Sequence, residues 1–180
     1  MIERKIALAV FGLLLTSCGQ AQPAGQDTPL AAIASATPAP SLTSVSPATQ
    51  PAELFFTIQG KLAPVAVQVS AASPARDAVE QLLKGSPDAQ HSTEIPAAAK
   101  LQDISIASGT ASVSFDAAFY AQGGASGTLL RLAQVTFTVT QFPSATSIRF
   151  LQDGLTLDVI GEGFPLNRAL GRQDFPQALS

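Results

Sequence analysis

The stretch TLLRLAQVTFTVTQFP, residues 128–143, decides the fold, because it satisfies two incompatible patterns. From Val135 to Thr140 it alternates Val and Phe with Thr, which is typical of a half-buried strand. The same residues also place apolar and small side chains on one stripe of a helix. Propensity favours the strand, whereas the fourteen residues 128–141 exceed the usual strand length. The pattern alone leaves both interpretations open.

Alternating apolar residues predict three pairs of strands around this stretch. We expect the chain to turn at residues 60–61, at 108–109 and at 153–154, and the last of these, Asp-Gly, is a strong hairpin signal. The predicted strands cover residues 54–59, 65–70, 104–106, 111–116, 148–150 and 155–159.

A helix is predicted between the first two pairs of strands. Ser73 is a favourable N-cap and Pro74 is tolerated at the first helical position. An apolar stripe follows, and Gly85 is a typical helix end. With residues 128–141 counted as a second helix, the order is ββαββαββ. This order predicts an α+β fold, a two-layer sandwich of two helices on one small mixed sheet.

Composition excludes several classes of protein. The chain has 180 residues, one Cys, one His and no Trp, and its formal net charge is −3. A single Cys excludes an internal disulfide, and one Cys with one His nearly excludes a zinc site. The ten Lys and Arg residues are scattered, so we expect no nucleic-acid interface. We expect no bound metal and no cofactor.

The N-terminus has the features of a secretory signal. Arg4 and Lys5 precede the apolar run at residues 6–15, which as a helix would span only about 15 Å, half of a bilayer core. The next residues, Leu-Thr-Ser-Cys ending at Cys18, resemble the lipobox of bacterial lipoproteins. That resemblance implies a signal peptide at residues 1–17 and lipidation of Cys18. The alternative is an ordinary signal peptide in which Cys18 is incidental.

Residues 18–52 are predicted to be a tether. From residue 19 to 52 the chain contains six Pro and nine Ala, and Asp27 carries its only charge. Such a segment buries too little apolar surface to fold, so we expect disorder and a span of roughly 30 Å. The folded domain is expected at residues 53–160, with residues 161–180 as a C-terminal tail.

A few residues are candidates for catalysis or ligand binding. Asp88, His91 and Ser92 supply the residue types of a catalytic triad, but neighbours in sequence rarely reach triad geometry. The GGASG loop at residues 123–127 precedes the second helix and is a candidate phosphate site, although it lacks the Lys-Ser/Thr ending of a P-loop.

Five acidic residues are candidates for acid–base work on cell-wall glycans. No pair among them stands out by position, so we predict no catalytic residue. The five are Glu94, Asp103, Asp116, Asp153 and Asp158.

Four stretches together resemble the GerMN domain of sporulation and spore-germination proteins. They contain the first strand pair, the Leu-Leu-x-Gly-x-Pro end of the first helix, the Thr-Glu-Ile-Pro segment before the third strand, and the stretch that fits both helix and strand. The resemblance covers residues 54–160 and implies an architecture similar to the ring-building motif. It also implies that residues 128–141 are a helix ending at Phe142-Pro143, and it brings no established catalytic residues. The four stretches are residues 54–69, 78–87, 93–115 and 132–154.

These observations predict a non-enzymatic binding or scaffold lipoprotein of the bacterial envelope. We expect its partners to be the lipid bilayer, through acylated Cys18, and an envelope protein or cell-wall polymer. We expect it outside the cytoplasm, on the cell membrane or the periplasmic face of an outer membrane. The alternative is an envelope glycan hydrolase or small-solute-binding lipoprotein that uses its acidic residues.

Overall fold

A computed structural model describes residues 48–121, 123–161 and 163–179. The predictions for the signal peptide, for Cys18 and for most of the tether lie outside the described residues. Within these ranges no helix has both the length and the apolar character needed to cross a bilayer.

The described chain is a mixed α+β fold, as predicted. A short helix, α2, and two short strands, β7 and β8, are added to the predicted order. The elements are β1 Thr49–Ile58, β2 Lys61–Ser70, α1 Pro74–Leu83, β3 Leu101–Ala107, β4 Thr110–Phe115, α2 Ala117–Tyr120, α3 Ala125–Val139, β5 Ser147–Gln152, β6 Leu155–Thr156, β7 Val159–Ile160 and β8 Phe164–Pro165, followed by 3₁₀ turns at Arg172–Asp174 and Pro176–Ala178.

The strands form three sheets, where the sequence predicted one. The hairpin β1–β2 stands alone, β7 pairs with β8, and the mixed central sheet has the order β3-β4-β5-β6. In this sheet β4 and β5 are parallel, and α2 and α3 connect them as the crossover. Side chains of α3 bond the outer edge of β1, so the first hairpin cannot join the central sheet through that strand.

Two-residue turns close three hairpins. The turns at residues 108–109 and 153–154 lie where the sequence predicted them, whereas the first lies at Gln59-Gly60, one residue earlier than expected. All six turn residues have positive φ, which is the type I′ pattern.

The ambiguous stretch is helical, as the family resemblance implied. Ten of the fifteen residues of α3 are buried, including Gln134, Thr136 and Thr138. A helix buried on its polar side as well as its apolar side shows no clear amphipathic pattern. This burial explains why its alternation of Thr with apolar residues is also typical of a strand.

Both ends of the folded domain extend past the expected boundaries. Strand β1 begins at Thr49, inside the expected tether, because Gln50 and Ala52 pair with β2. At the other end Leu166, Leu170 and Phe175 are fully buried. The described part of the expected tail therefore belongs to the fold.

The core lies between the helices and the central sheet. The ring of Phe119 stacks on that of Phe115 with centroids 4.0 Å apart, and Phe150 lies 6.2 Å from Phe119. Helix α1 contributes the stripe predicted from its sequence, and its Val79 and Leu82 are fully buried.

We predict that a chain ending at Pro165 fails to fold. It lacks Leu166, Leu170 and Phe175, and burying each such side chain is worth about 1.5–3 kcal/mol, in a domain whose total stability is typically about 5–15 kcal/mol. The matched control ends at Ala178, which removes the exposed Leu179 and should change the free energy of unfolding by less than about 0.5 kcal/mol. Urea unfolding followed by circular dichroism measures both, and equal midpoints would contradict the prediction.

Candidate functional site

Asp88 and His91 contact each other in the loop after α1. His91 Nδ1 lies 2.8 Å from Asp88 Oδ1, and the backbone amides of Gln90 and His91 donate to the same oxygen. The hydrogen bond from the His91 side chain lowers the pKa of the Asp88 carboxyl below its ordinary value of 3.8. By accepting these hydrogen bonds, the Asp88 carboxylate fixes the conformation of its own loop.

Ser92 does not complete a triad, because it is bonded to β1. Its hydroxyl lies 2.9 Å from Thr57 Oγ1, and its backbone N–H and C=O exchange two hydrogen bonds of 2.8 Å with Thr57. Ser92 thus extends the pairing of β1 by one residue.

The glycine-rich loop at residues 123–127 forms the start of α3, with Gly124 as the N-cap. A carboxylate lies beside this end of the helix, since a Cβ on Gly127 would stand 3.0 Å from Glu94 Oε2. Negative charge near a helix N-terminus is favourable. The negative charge of Glu94 would repel a second anion at this position, so the loop is poorly suited to bind phosphate.

The remaining acidic candidates are dispersed and have separate partners. Asp103 pairs with Arg76 at 2.9 Å, and Asp116 accepts from the Lys100 amide at 3.0 Å. Asp153 accepts from Gln102.

Asp116 and Asp153 do lie at one end of the central sheet, since they follow the carboxyl ends of the parallel strands β4 and β5. Asp158 precedes β7, and its backbone carbonyl accepts from Leu166. Across residues 48–121, 123–161 and 163–179, no three His, Cys, Asp or Glu side chains are grouped as a metal site.

Tyr120 is a neutral donor at this end of the sheet. Its hydroxyl donates to the Leu151 carbonyl at 2.8 Å. Burial raises the pKa of Tyr120 well above its ordinary value of 10, and the charge of Asp153 adds to the rise. The phenol therefore stays protonated and fixes α2 to β5.

The most extensive polar arrangement is one that the sequence analysis missed. Gln134 Nε2 donates to Phe55 O at 3.0 Å, and Phe55 N donates to Thr138 Oγ1 at 3.1 Å. One turn later Gln141 bonds both backbone groups of Glu53, at 2.7 and 2.6 Å. We call Gln134, Thr138 and Gln141 the α3 seam. These polar residues recur about once per helical turn, at i, i+4 and i+7, with Gln141 lying two residues past the end of α3.

Gln134 also joins a third segment. Its Oε1 accepts from the Glu94 amide at 2.9 Å while its Nε2 reaches β1, and its side chain is fully buried. The loop before β3 and the strand β1 are therefore both fixed to one helical residue.

Arg131 holds the neighbouring segments in a similar way. It is 3% exposed, and it donates from Nε to Glu94 O at 2.8 Å and from Nη1 to Phe119 O at 2.5 Å. Its guanidinium also lies over the Phe119 ring, 5.9 Å from the centroid. Burial lowers the pKa of Arg131 below its ordinary value, and the charge of Glu94 acts in the opposite direction.

Two clefts on the described surface are largely apolar. One, of about 310 Å³, lies between the start of α3 and the β7–β8 hairpin. The other, of about 400 Å³, lies between the start of α1 and β3, and Arg76 is its only charged lining residue. Neither cleft has a carboxylate among its lining residues.

We predict that Gln134→Leu destabilises the protein by about 1–3 kcal/mol, because it leaves the buried Phe55 O without a partner and also removes the bond to the Glu94 amide. The matched control is Gln141→Leu at the exposed end of the α3 seam, where water can replace the lost bonds. We expect a loss below about 1 kcal/mol there. Urea unfolding of the two variants measures the difference between their free energies of unfolding, and equal losses would contradict the larger effect predicted for the buried Gln134.

Three solved structures share this fold. The first GerMN domain of the sporulation protein GerM from Bacillus subtilis is 26% identical, with a TM-score of 0.57, over 70% of this chain and 100% of that chain. The tandem GerMN domains of GerM give 24% identity and a TM-score of 0.60, and the match spans 47% of that chain. A candidate lipoprotein from Clostridium perfringens is 21% identical, with a TM-score of 0.54, over 72% of this chain and 91% of that chain.

No curated protein matches the sequence. The family model described as Germane, sporulation and spore germination, matches residues 53–158, which is more than half of the chain. The resemblance stated from the sequence is confirmed: the chain belongs to the Germane family of sporulation and spore-germination domains.

Proposed function

We propose that this protein is a lipid-anchored, non-enzymatic binding or scaffold protein of the bacterial envelope. One observation carries the non-enzymatic part of the proposal, namely that three of the buried polar side chains bond the protein's own backbone. Gln134, Thr138 and Arg131 all do so. An acid–base catalyst needs carboxyl groups that converge on a cleft, and neither described cleft has one among its lining residues.

The dispersal of the sequence candidates supports the same proposal. His91 bonds Asp88, Ser92 bonds Thr57, and the Asp103 carboxylate pairs with Arg76. A glycan hydrolase needs two carboxyl groups facing one bond across a cleft. Binding through a surface needs no such arrangement, and it agrees better with a small domain whose polar groups stabilise its own fold.

The anchor is proposed from the sequence around Cys18. The only Cys follows the apolar run and the small residues Thr16 and Ser17, where lipid transfer and cleavage require it. Removal of the first seventeen residues would leave twelve acidic and eight basic residues, a net charge of −4. An acidic protein gains little from anionic lipid headgroups, so the acyl chains would supply the membrane binding.

We predict that Cys18→Ala moves the protein from the membrane fraction to the soluble extracytoplasmic fraction. Each buried CH₂ of an acyl chain is worth about 0.8 kcal/mol, so losing the chains removes the attachment. Ser17→Ala is the matched control, because it keeps a small residue before Cys18 and should leave the protein in the membrane. Fractionation and incorporation of a labelled fatty acid provide the measurement. Retention of Cys18→Ala in membranes, or a wild-type product with a bare thiol, would overturn the anchor.

We also predict that cross-linking in intact cells recovers a defined envelope protein or wall polymer with the wild type, and much less with Cys18→Ala. The double variant Asp116→Asn with Asp153→Asn should give an unchanged yield, because these carboxylates have no catalytic part in the proposal. Loss of the cross-linked partner in the double variant would favour an acid-dependent activity, and recovery of abundant bystanders alone would count against the binding role.

A further inference from the structure

The fold protects most of its strand edges. Side chains of α3 and the backbone of Ser92 cover β1, and Leu170 exchanges two hydrogen bonds with Ile148 on β5. Strand β2 is interrupted by Pro64, which has no amide, while α1 side chains bond Gln68 O and Ser70 N. Unprotected edges invite pairing with other chains, and proteins usually block them in these ways.

Strand β3 has none of these protections: in the described chain it contains no proline, and no helix side chain bonds its outward backbone groups. Its hairpin turn pairs Ala107 with Thr110, so in the antiparallel pattern Ile104 and Ile106 direct their N–H and C=O groups away from β4. Among the described residues, no hydrogen bond from outside the β3–β4 ladder reaches either isoleucine.

The side chains beside this edge are also only partly covered. Ile104 and Ile106 lie opposite Val113 and Ala111, on the buried face of the sheet. Ile106 is nevertheless 38% exposed. Both isoleucines border the cleft of about 400 Å³ against the start of α1. An added strand would bond the free backbone groups and place alternate side chains in this cleft.

We propose that the β3 edge pairs with the same edge of a second copy of this chain. In an antiparallel arrangement about a two-fold axis through Ser105, Ile104 of one copy faces Ile106 of the other, and the four free groups of each edge bond one another. Isoleucine then packs beside isoleucine over the cleft. A two-fold pairing requires a self-complementary edge, and this one is self-complementary.

The charges of the strand fit this register. Asp103 is the only charged residue of β3, and it already pairs with Arg76 at 2.9 Å. Across the two-fold axis it faces Ala107, so no like charges meet. Ser105 faces its own copy, and both serines are small and neutral.

The paired segment is short, so the dimer should be weak in dilute solution. If the proposed lipid anchor is present, it holds both copies in one plane and raises their effective concentration. The pairing itself does not depend on the anchor.

We test the register with Ser105→Cys in the full-length chain in its membranes. Residues opposite each other at a non-hydrogen-bonded position have Cα atoms about 4.5 Å apart. That separation lies within the range a disulfide spans. We expect a reducible dimer after mild oxidation, at least about tenfold above Ala66→Cys, a control at an exposed residue of β2. The wild type is a second control, because any disulfide dimer that it forms must come from Cys18. Such a dimer would show that the Cys18 thiol is free of lipid, which is a failure of the anchor and not of the β3 pairing.

A charge exchange provides the second measurement. Ser105→Lys and Ser105→Asp each place like charges face to face, so each variant alone should lose co-isolation of two differently tagged copies. A mixture of the two variants should restore it. Circular dichroism checks that both variants fold.

Four outcomes would overturn the proposal. In the cysteine experiment, the first is a dimer yield of Ser105→Cys no higher than that of Ala66→Cys, and the second is a cross-link from the thiol at position 105 to a different protein. The third is protection of that thiol within a monomer by residues preceding Ala48. The fourth is a mixture of the two charge variants that fails to associate.

Discussion

The outer backbone edge of β1 must find hydrogen-bond partners inside the protein, and the rest of the structure depends on how it does so. A buried amide or carbonyl without a partner costs about 1–3 kcal/mol. Strands normally meet this need with another strand, but here the α3 seam and Ser92 bond successive outward-facing residues of β1. A helix therefore takes the place of a neighbouring strand.

This solution fixes the positions of the other elements. Because the seam residues are spaced about one helical turn apart, α3 runs along β1, and the hairpin cannot join the central sheet through that strand. The opposite side of α3 then carries Leu132, Val135 and Val139 into the core. Gln134 and Arg131 also bond the segment around Glu94, so one helix organises the hairpin, a loop and α2.

The sequence predicted those features of the fold that depend on residues close together in the chain. The apolar stripe of α1 and the turns at residues 108–109 and 153–154 follow from local chemistry, and the structure has them. The α3 seam could not be predicted, because a buried glutamine and an exposed one look alike until the partner backbone is known. The burial of Leu170 and Phe175 depends likewise on contacts with distant residues, and so does the division into three sheets.

The same limit applies to the candidate triad, because only a contact with a distant residue shows what its serine side chain bonds. Asp88, His91 and Ser92 are adjacent in sequence, but the serine hydroxyl turns to Thr57, thirty-five residues away. Where polar groups are bonded internally, recognition of a partner has to use what remains at the surface. On β3 these are the outward backbone groups and two isoleucine side chains. Such a surface selects a partner by strand geometry and apolar fit, and it needs little charge to do so.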